Sequence, residues 1–137
     1  MGPIRIVLVD DHAVARRGIR SVLKANPDLQ VVGEAEDAEE AIKNVAELNP
    51  DIILLDIGLP GMSGLEAAPQ IKSLSPQSRI IFVSQHNSLR MANEALERGA
   101  QAYVVKSDAG MDLLRAIDAV LQGQTFFSRT LLKSSGV

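Results

Sequence analysis

Asp51-Ile52-Ile53-Leu54-Leu55-Asp56-Ile57-Gly58-Leu59-Pro60-Gly61-Met62-Ser63-Gly64 is the stretch on which the fold turns. The apolar run Ile52 to Leu55 ends in a carboxylate, Asp56, and a Gly/Pro-rich loop follows. An apolar run of this length bounded by turn residues suits a strand buried on both faces, as in a parallel sheet. Such a strand delivers Asp56 to the carboxyl edge of the sheet, where open α/β folds place their sites. Asn49-Pro50 opens the unit, and Pro60, Gly61 and Gly64 turn the chain away afterwards. Taken alone, Asp56 could equally cap a turn, a common role for aspartate. Its company decides.

Outward from that strand the same pattern repeats. Ile6 to Val9 is an apolar run ending in Asp10 and Asp11. Arg79 to Ser84 is a run ending in a hydroxyl, and Ala102 to Lys106 one ending in an ammonium. Leu29, Val31 and Val32 read as a shorter, more polar strand, hence one nearer an edge. Helical periodicity fills the intervals. Val14, Gly18, Ile19, Val22 and Leu23 share a face, with Arg16, Arg17 and Arg20 pointing elsewhere as a solvated surface. Asp37 with Glu40 and Ser63 with Glu66 are capping-box patterns that start the second and third helices. Pro69 cannot donate to the Leu65 carbonyl and predicts a kink or a tight first turn in the third. Leu89 to Leu96, closed by Gly99, is a short Ala-rich fourth helix. Asp108 is expected to cap the fifth, with the stripe Met111, Leu114, Ile117, Val120 and Leu121. Five strands alternating with five helices imply a parallel sheet with right-handed crossovers and helices on both faces.

Composition narrows the classes of function. The 137 residues make one domain with an ordinary apolar content, and the net charge is −3 without a basic run. The electrostatic footprint of a nucleic-acid binder is therefore missing from this stretch of chain. No cysteine is present, which excludes disulfides and thiolate metal sites and fits a cytoplasmic setting. The longest apolar runs are strand-sized, well short of a membrane span.

Parallel strands point the same way, so Asp10, Asp11, Asp56, Ser84 and Lys106 gather on one edge. Clustered carboxylates raise one another's pKa unless a cation sits among them. Lys106 supplies one charge, and an oxygen-preferring dication such as Mg²⁺ would supply the rest. A carboxylate nucleophile, a hydroxyl, a lysine and Mg²⁺ suit phosphoryl transfer, with Asp forming an acyl phosphate.

These residues resemble a response-regulator receiver domain of bacterial two-component signalling. The resemblance covers Ile4 to about Gly123. It rests on Asp10-Asp11, on Asp56 with Leu59-Pro60-Gly61 and Gly64, on Ser84, and on Tyr103 three residues before Lys106. Asp10-Asp11-His12 followed by Arg16-Arg17-Gly18-Ile19 further resembles receivers that precede a LuxR-type helix-turn-helix. The resemblance implies a flavodoxin-like, doubly wound five-stranded sheet in 2-1-3-4-5 order, for which receivers are a standard case. It implies a receiver over 1–123 and, over 124–137, the start of a linker to a DNA-binding output domain not included here. Asp56 would take a phosphoryl group from a sensor histidine kinase. Asp11, Asp56 and the Gly58 backbone carbonyl would ligate Mg²⁺, with Asp10 acting through water. Lys106 and Ser84 would meet the phosphoryl oxygens, and Ser84 and Tyr103 would form the switch. The protein would be a cytoplasmic transcription regulator rather than an enzyme, and could dimerise on phosphorylation.

Three departures accompany the resemblance. Gln85 stands where a small residue is usual and is expected to crowd the phosphate. Gly58 offers no side chain to the site. Ser107 replaces a frequent proline after Lys106, so a trans bond is expected there. Two competing readings fare worse. A flavin-mononucleotide carrier of the same topology would want a Gly/Ser/Thr-rich loop where Asp10-Asp11-His12 stands. An aspartyl-phosphate hydrolase would want an acid at position 58. His86 is expected to face solvent, and His12 to bond or pack at the start of the first helix. Phe126 and Phe127 are expected to pack against the last helix.

Overall fold

The computed structural model describes residues 2–133. Strands β1 (Ile4–Val9), β2 (Leu29–Ala35), β3 (Ile52–Leu55), β4 (Arg79–Ser84) and β5 (Ala102–Val105) alternate with helices α1 (Ala13–Leu23), α2 (Ala38–Leu48), α3 (Gly64–Leu74), α4 (Leu89–Glu97) and α5 (Ala109–Leu121). All pairings are parallel. The sheet has six strands rather than the expected five, in the order β2-β1-β3-β4-β5-β6. The additional strand, β6 (Phe126–Phe127), lies beside β5 and is followed by a short helix, α6 (Arg129–Lys133). Chain expected to begin a linker thus continues the sheet. The polar end of that stretch, residues 134–137, lies outside the described residues.

Period-two alternation in β1, β3, β4 and β5 feeds two cores. Val7, Val9, Ile53, Leu55, Ile80 and Phe82 pack under α2, α3 and α4. Ile6, Leu8, Ile52, Leu54, Ile81 and Val83 pack under α1 and α5. Both faces are covered, which is why these strands read as unbroken apolar runs. β2 forms the polar edge, and a register shift between Ile6 and Val7 leaves Val32 as the extra residue.

Helix starts follow the chemistry of their sequence. Ser63 and Glu66 form both halves of a capping box, and the Asp37 side chain accepts from the Glu40 amide. α3 runs through Pro69 without interruption. Proline leaves the Leu65 carbonyl without its helical donor, and Arg98 Nη1, from the end of α4, donates to that oxygen at 3.1 Å. Arg98→Met should therefore cost about 1 kcal/mol, discounted because the guanidinium is partly exposed. Pro69→Ala restores an amide to the carbonyl, so the cost of losing Arg98 should fall in that background. A double-mutant cycle in urea reads the coupling; additivity within about 0.3 kcal/mol would dismiss it.

Three residues depart from the expected faces. Val14 is 72% exposed, while Ile19 and Leu23 of the same stripe are buried as expected. Arg16 is not a solvated residue: its guanidinium bonds the Asp10 carbonyl and Glu34, tying the end of β1 to β2. In α5, Met111 is 63% exposed while Asp112 and Leu113 are buried. Asp112 goes inside because Arg129 arrives from α6. The Arg129 amide donates to Asp112 Oδ2 at 2.9 Å, and its guanidinium grips both carboxylate oxygens. Asp108 does not cap α5; it accepts from the amide and hydroxyl of Thr130. The Ser128 hydroxyl takes the Val105 amide at 2.9 Å, closing this clasp on the end of β5.

The Arg129 guanidinium holds the Asp112 carboxyl below the usual carboxylate range. Burial pushes Asp108 up, but hydrogen bonds from Thr130 and Ser128 outweigh it and the net shift is downward. Carboxyls lowered by folding contribute stability above their unfolded pKa, about 4, and lose it as pH falls through the folded value. The Arg129 and Thr130 amide resonances should hold their positions down to about pH 4 and move together below it. Movement beginning at pH 5 or above would break the assignment.

Candidate functional site

The parallel sheet brings its carboxyl-edge residues together as the topology requires. The Asp56 amide donates to the Val9 carbonyl and the Asp10 amide to Ala35, which sets both aspartates at the ends of neighbouring central strands. Both are enclosed, at 1% exposure for Asp10 and 4% for Asp56. Lys106 reaches across from the end of β5. Its Nζ donates to Asp56 Oδ2 at 3.0 Å and forms an ion pair with Asp10 Oδ2 at 2.7 Å. Burial works to lower the Lys106 pKa, but the two carboxylates more than reverse this and raise it. The ammonium is therefore fully charged at neutral pH. Removing either carboxylate leaves it paired with the other.

Asp56 Oδ1 accepts from the Gly58 amide at 3.3 Å, a short turn that fixes the carboxylate at the top of β3. Lys106 to Asp108 form a turn of 3-10 helix before α5, and the Lys106–Ser107 bond is trans, as expected without proline. Ser84, fully buried at the end of β4, accepts from the His86 amide at 3.3 Å. Tyr103 is also fully buried, its hydroxyl donating to the His86 carbonyl at 2.9 Å. Burial raises the Tyr103 pKa; Ser84 opposes the rise and the Asp56 charge adds to it. The ring lies inward against Phe82, with ring centroids 6.2 Å apart. Gln85 and His86 are exposed, as expected for His86.

Asp10, Asp11, His12 and Asp56 each offer one ligand atom, all within 4.8 Å of one another. Three carboxylates face one ammonium here, an imbalance a dication would correct. Asp10 Oδ2 is buried against the Lys106 ammonium and Asp11 Oδ1 is buried beside the His12 ring, and the donor set is rich in oxygen. The residues fit Mg²⁺, which binds through one or two carboxylates and retains water. Sequence reasoning placed every one of the edge residues and expected His12 to bond or pack at the start of α1, where its amide and ring do bond Asp10.

The model for the "Response regulator receiver domain" family matches residues 6–118. The nitrate/nitrite response regulator protein NarL of Escherichia coli strain K12 is 38% identical over 129 residues, covering 94% of this chain and 60% of that protein. The chain thus spans about three fifths of the length of this relative. Among solved structures, a two-component response regulator of the LuxR family from Aurantimonas sp. SI85-9A1 superposes with a TM-score of 0.90 at 38% identity, over 96% of this chain and 94% of that one. The isolated REC domain of RcsB from Salmonella enterica serovar Typhimurium, determined with phosphomimetic BeF3⁻, gives a TM-score of 0.88 at 27% identity, over 96% and 98%.

Proposed function

This chain belongs to the response regulator receiver domain family, and from that premise we propose that Asp56 is the phosphoacceptor of a two-component switch. One observation carries the reading: a buried carboxylate at the head of a central strand, paired with Lys106 and set among two further aspartates. An Asp56 oxygen attacks the phosphorus of a kinase phosphohistidine. The P–O bond forms as the P–N bond breaks, and the imidazole nitrogen leaves with the electron pair and takes a proton from solvent. Lys106 then transfers its contact to a phosphoryl oxygen while keeping Asp10. Asp11, Asp56 and the Gly58 carbonyl would hold Mg²⁺, with Asp10 acting through water. The ion would neutralise charge on the transferred group. Position 58 carries no acid to activate water, so the chain keeps the phosphoryl group as a signal rather than turning it over as an enzyme does.

Ser84 donates to the bound phosphoryl group and gives up the His86 amide, which disturbs the loop that also receives the Tyr103 hydroxyl. Tyr103 is already inward in this structure, so phosphorylation shifts a population in which inward and outward rings both exist. The likeness to LuxR-family and NarL regulators supports control of transcription through a DNA-binding output domain, joined by a linker after α6, and a homodimer formed on phosphorylation. Among the described residues no helix is long and apolar enough to cross a membrane. A cytoplasmic setting with a sensor histidine kinase as donor follows from the proposed role.

Intact mass after incubation with acetyl phosphate and Mg²⁺ tests the reading. One added phosphoryl group is expected, absent with EDTA and absent from Asp56→Asn. An unmodified wild type that also stays unmodified with a phosphorylated histidine kinase would overturn it.

A further inference from the structure

Arg16 lies outside the chemistry of the acidic edge but holds its backbone, an inference that rests on that edge being the proposed metal and phosphoryl site. Val9 is the last residue of β1 in register with both β2 and β3. The Asp10 amide still reaches the Ala35 carbonyl, at 3.0 Å. The Asp10 carbonyl, past the last paired residue, takes its donor from a side chain instead: Arg16 Nη1, near the start of α1. A carbonyl leaving a buried ladder needs such a partner. The same guanidinium donates through Nε to Glu34 Oε1 at 3.0 Å and pairs through Nη2 with Glu36 Oε1 at 3.5 Å. Arg20 holds the other Glu34 oxygen, and the Arg16 side chain is only 14% exposed. Arg16 thus braces the peptide between Asp10 and Asp11 against the edge strand β2.

That peptide decides where Asp11 goes. The Asp10 carboxylate is fixed on its own account, Oδ1 by the His12 amide at 2.8 Å and Oδ2 by Lys106 Nζ at 2.7 Å. The Asp11 side chain lies beside the His12 ring, which is itself exposed, so its direction depends on the backbone that carries it. Peptide groups turn as rigid planes, and turning this one changes ψ of Asp10 and φ of Asp11 together, re-aiming the Asp11 carboxylate. The planar guanidinium fork suits the task, since it bonds two acceptors in a fixed relation. Its charge works the other way: a cation beside three carboxylates repels a second cation, so as a charge alone Arg16 weakens metal binding. We propose that Arg16 is a positioning residue, which sets the place of the Asp11 carboxylate relative to Asp56 and with it the affinity for Mg²⁺. It acts through the Asp10 carbonyl, not by touching the ion or the phosphoryl group.

Position and charge predict opposite signs, and calorimetric titration with Mg²⁺ separates them, each variant being checked for folding by its urea transition. Arg16→Met should bind Mg²⁺ about tenfold more weakly, the scale on which residues that hold a metal ligand from behind are felt. Arg17→Met removes the same charge from an exposed neighbour on α1 and should bind as wild type does or slightly tighter. Arg16→Lys keeps the charge but not the fork and should lose about threefold. Ser78→Ala, which gives up a buried hydrogen bond to the Pro50 carbonyl at the opposite edge of the sheet, controls for lost stability and should leave the affinity unchanged. A folded Arg16→Met that binds Mg²⁺ as tightly as wild type or tighter would overturn the proposal. Should Arg16→Met not fold, wild-type affinity in Arg16→Lys does the same. Mg²⁺ affinity unchanged by Asp11→Asn would instead remove the metal site on which the inference rests.

Discussion

Asp56→Asn is expected to abolish phosphate acceptance and to leave the fold as stable as wild type or slightly more so. Asparagine matches the carboxylate in shape, so Oδ1 can still accept from the Gly58 amide and Lys106 keeps its ion pair with Asp10. What disappears is the anionic nucleophile and one of three carboxylates competing for a single ammonium. Relief of that repulsion favours the folded state, by at most about 1 kcal/mol or roughly 4 °C in melting temperature for a domain of this size. Mg²⁺ should reverse the comparison. An ion that binds only the native state adds RT ln(1 + [L]/Kd), about 2.7 kcal/mol at a hundredfold excess over Kd. Wild type should gain this stabilisation, and the Asn variant clearly less, since it lacks one ligating oxygen anion. Thermal melts with and without Mg²⁺, together with intact mass, therefore report fold, metal and acceptor separately. A folded Asp56→Asn protein that still takes a phosphoryl group would move the acceptor to another carboxylate and defeat the assignment.

The chemistry of the sheet edge was legible in the sequence because each relevant strand is buried on both faces. A strand of that kind must be apolar throughout, so its first polar residue announces the edge: Asp10, Asp56, Ser84 and Lys106 all stand there. The C-terminal segment was not legible for the opposite reason. Phe126–Phe127 is too short to show a period, and residues far away in the chain hold it in place. The Tyr103 carbonyl takes the Ser128 amide, the Ser128 hydroxyl takes the Val105 amide, and Asp112 takes Arg129. That last bond also explains why α5 buries Asp112 and Leu113 rather than Met111. Hydrophobic periodicity favours Met111 for the interior, and a carboxylate enters only where a cation from another element neutralises it. Arg16 was misjudged likewise, because its acceptors, the Asp10 carbonyl and Glu34, belong to strands. The clasp would, under the proposed switch, matter for signalling as well as for stability. Under the proposed switch, Tyr103 and Val105 lie on β5 between the phosphoacceptor edge and α6, so a shift in either strains the contacts that hold the chain leading onward from the domain.

Gly64→Ala is expected to be the most damaging single methyl group in the site loop. Gly64 is the first residue of α3, and its amide donates to the Ile57 carbonyl at 2.9 Å, folding the loop tightly over the top of β3. A Cβ at this position would lie 2.1 Å from the Asp56 carbonyl oxygen, 2.9 Å from its carbon and 3.1 Å from Ile57 Cα. All three obstacles are backbone, so no rotamer change relieves them. The Asp56 peptide cannot yield freely, because its amide is bonded to Val9 within the sheet. Either α3 lifts from the sheet, losing the packing of Leu65, Ala67 and Ala68, or the Asp56 peptide rotates and carries the carboxylate from its place beside Lys106. The first course costs about 3 kcal/mol or more in stability, the upper end for forcing extra atoms into a packed site. The second leaves a folded protein whose acceptor is displaced by about 1 Å, enough for a loss on the order of a hundredfold in phosphorylation rate. Gly58→Ala is the control within the same loop, since nothing lies within 4 Å of a Cβ added there, and it should stay within about 0.5 kcal/mol of wild type. Urea unfolding and acetyl phosphate kinetics on the two variants decide the matter. A Gly64→Ala protein matching wild type in both would mean that the turn after Asp56 is looser than its backbone contacts require.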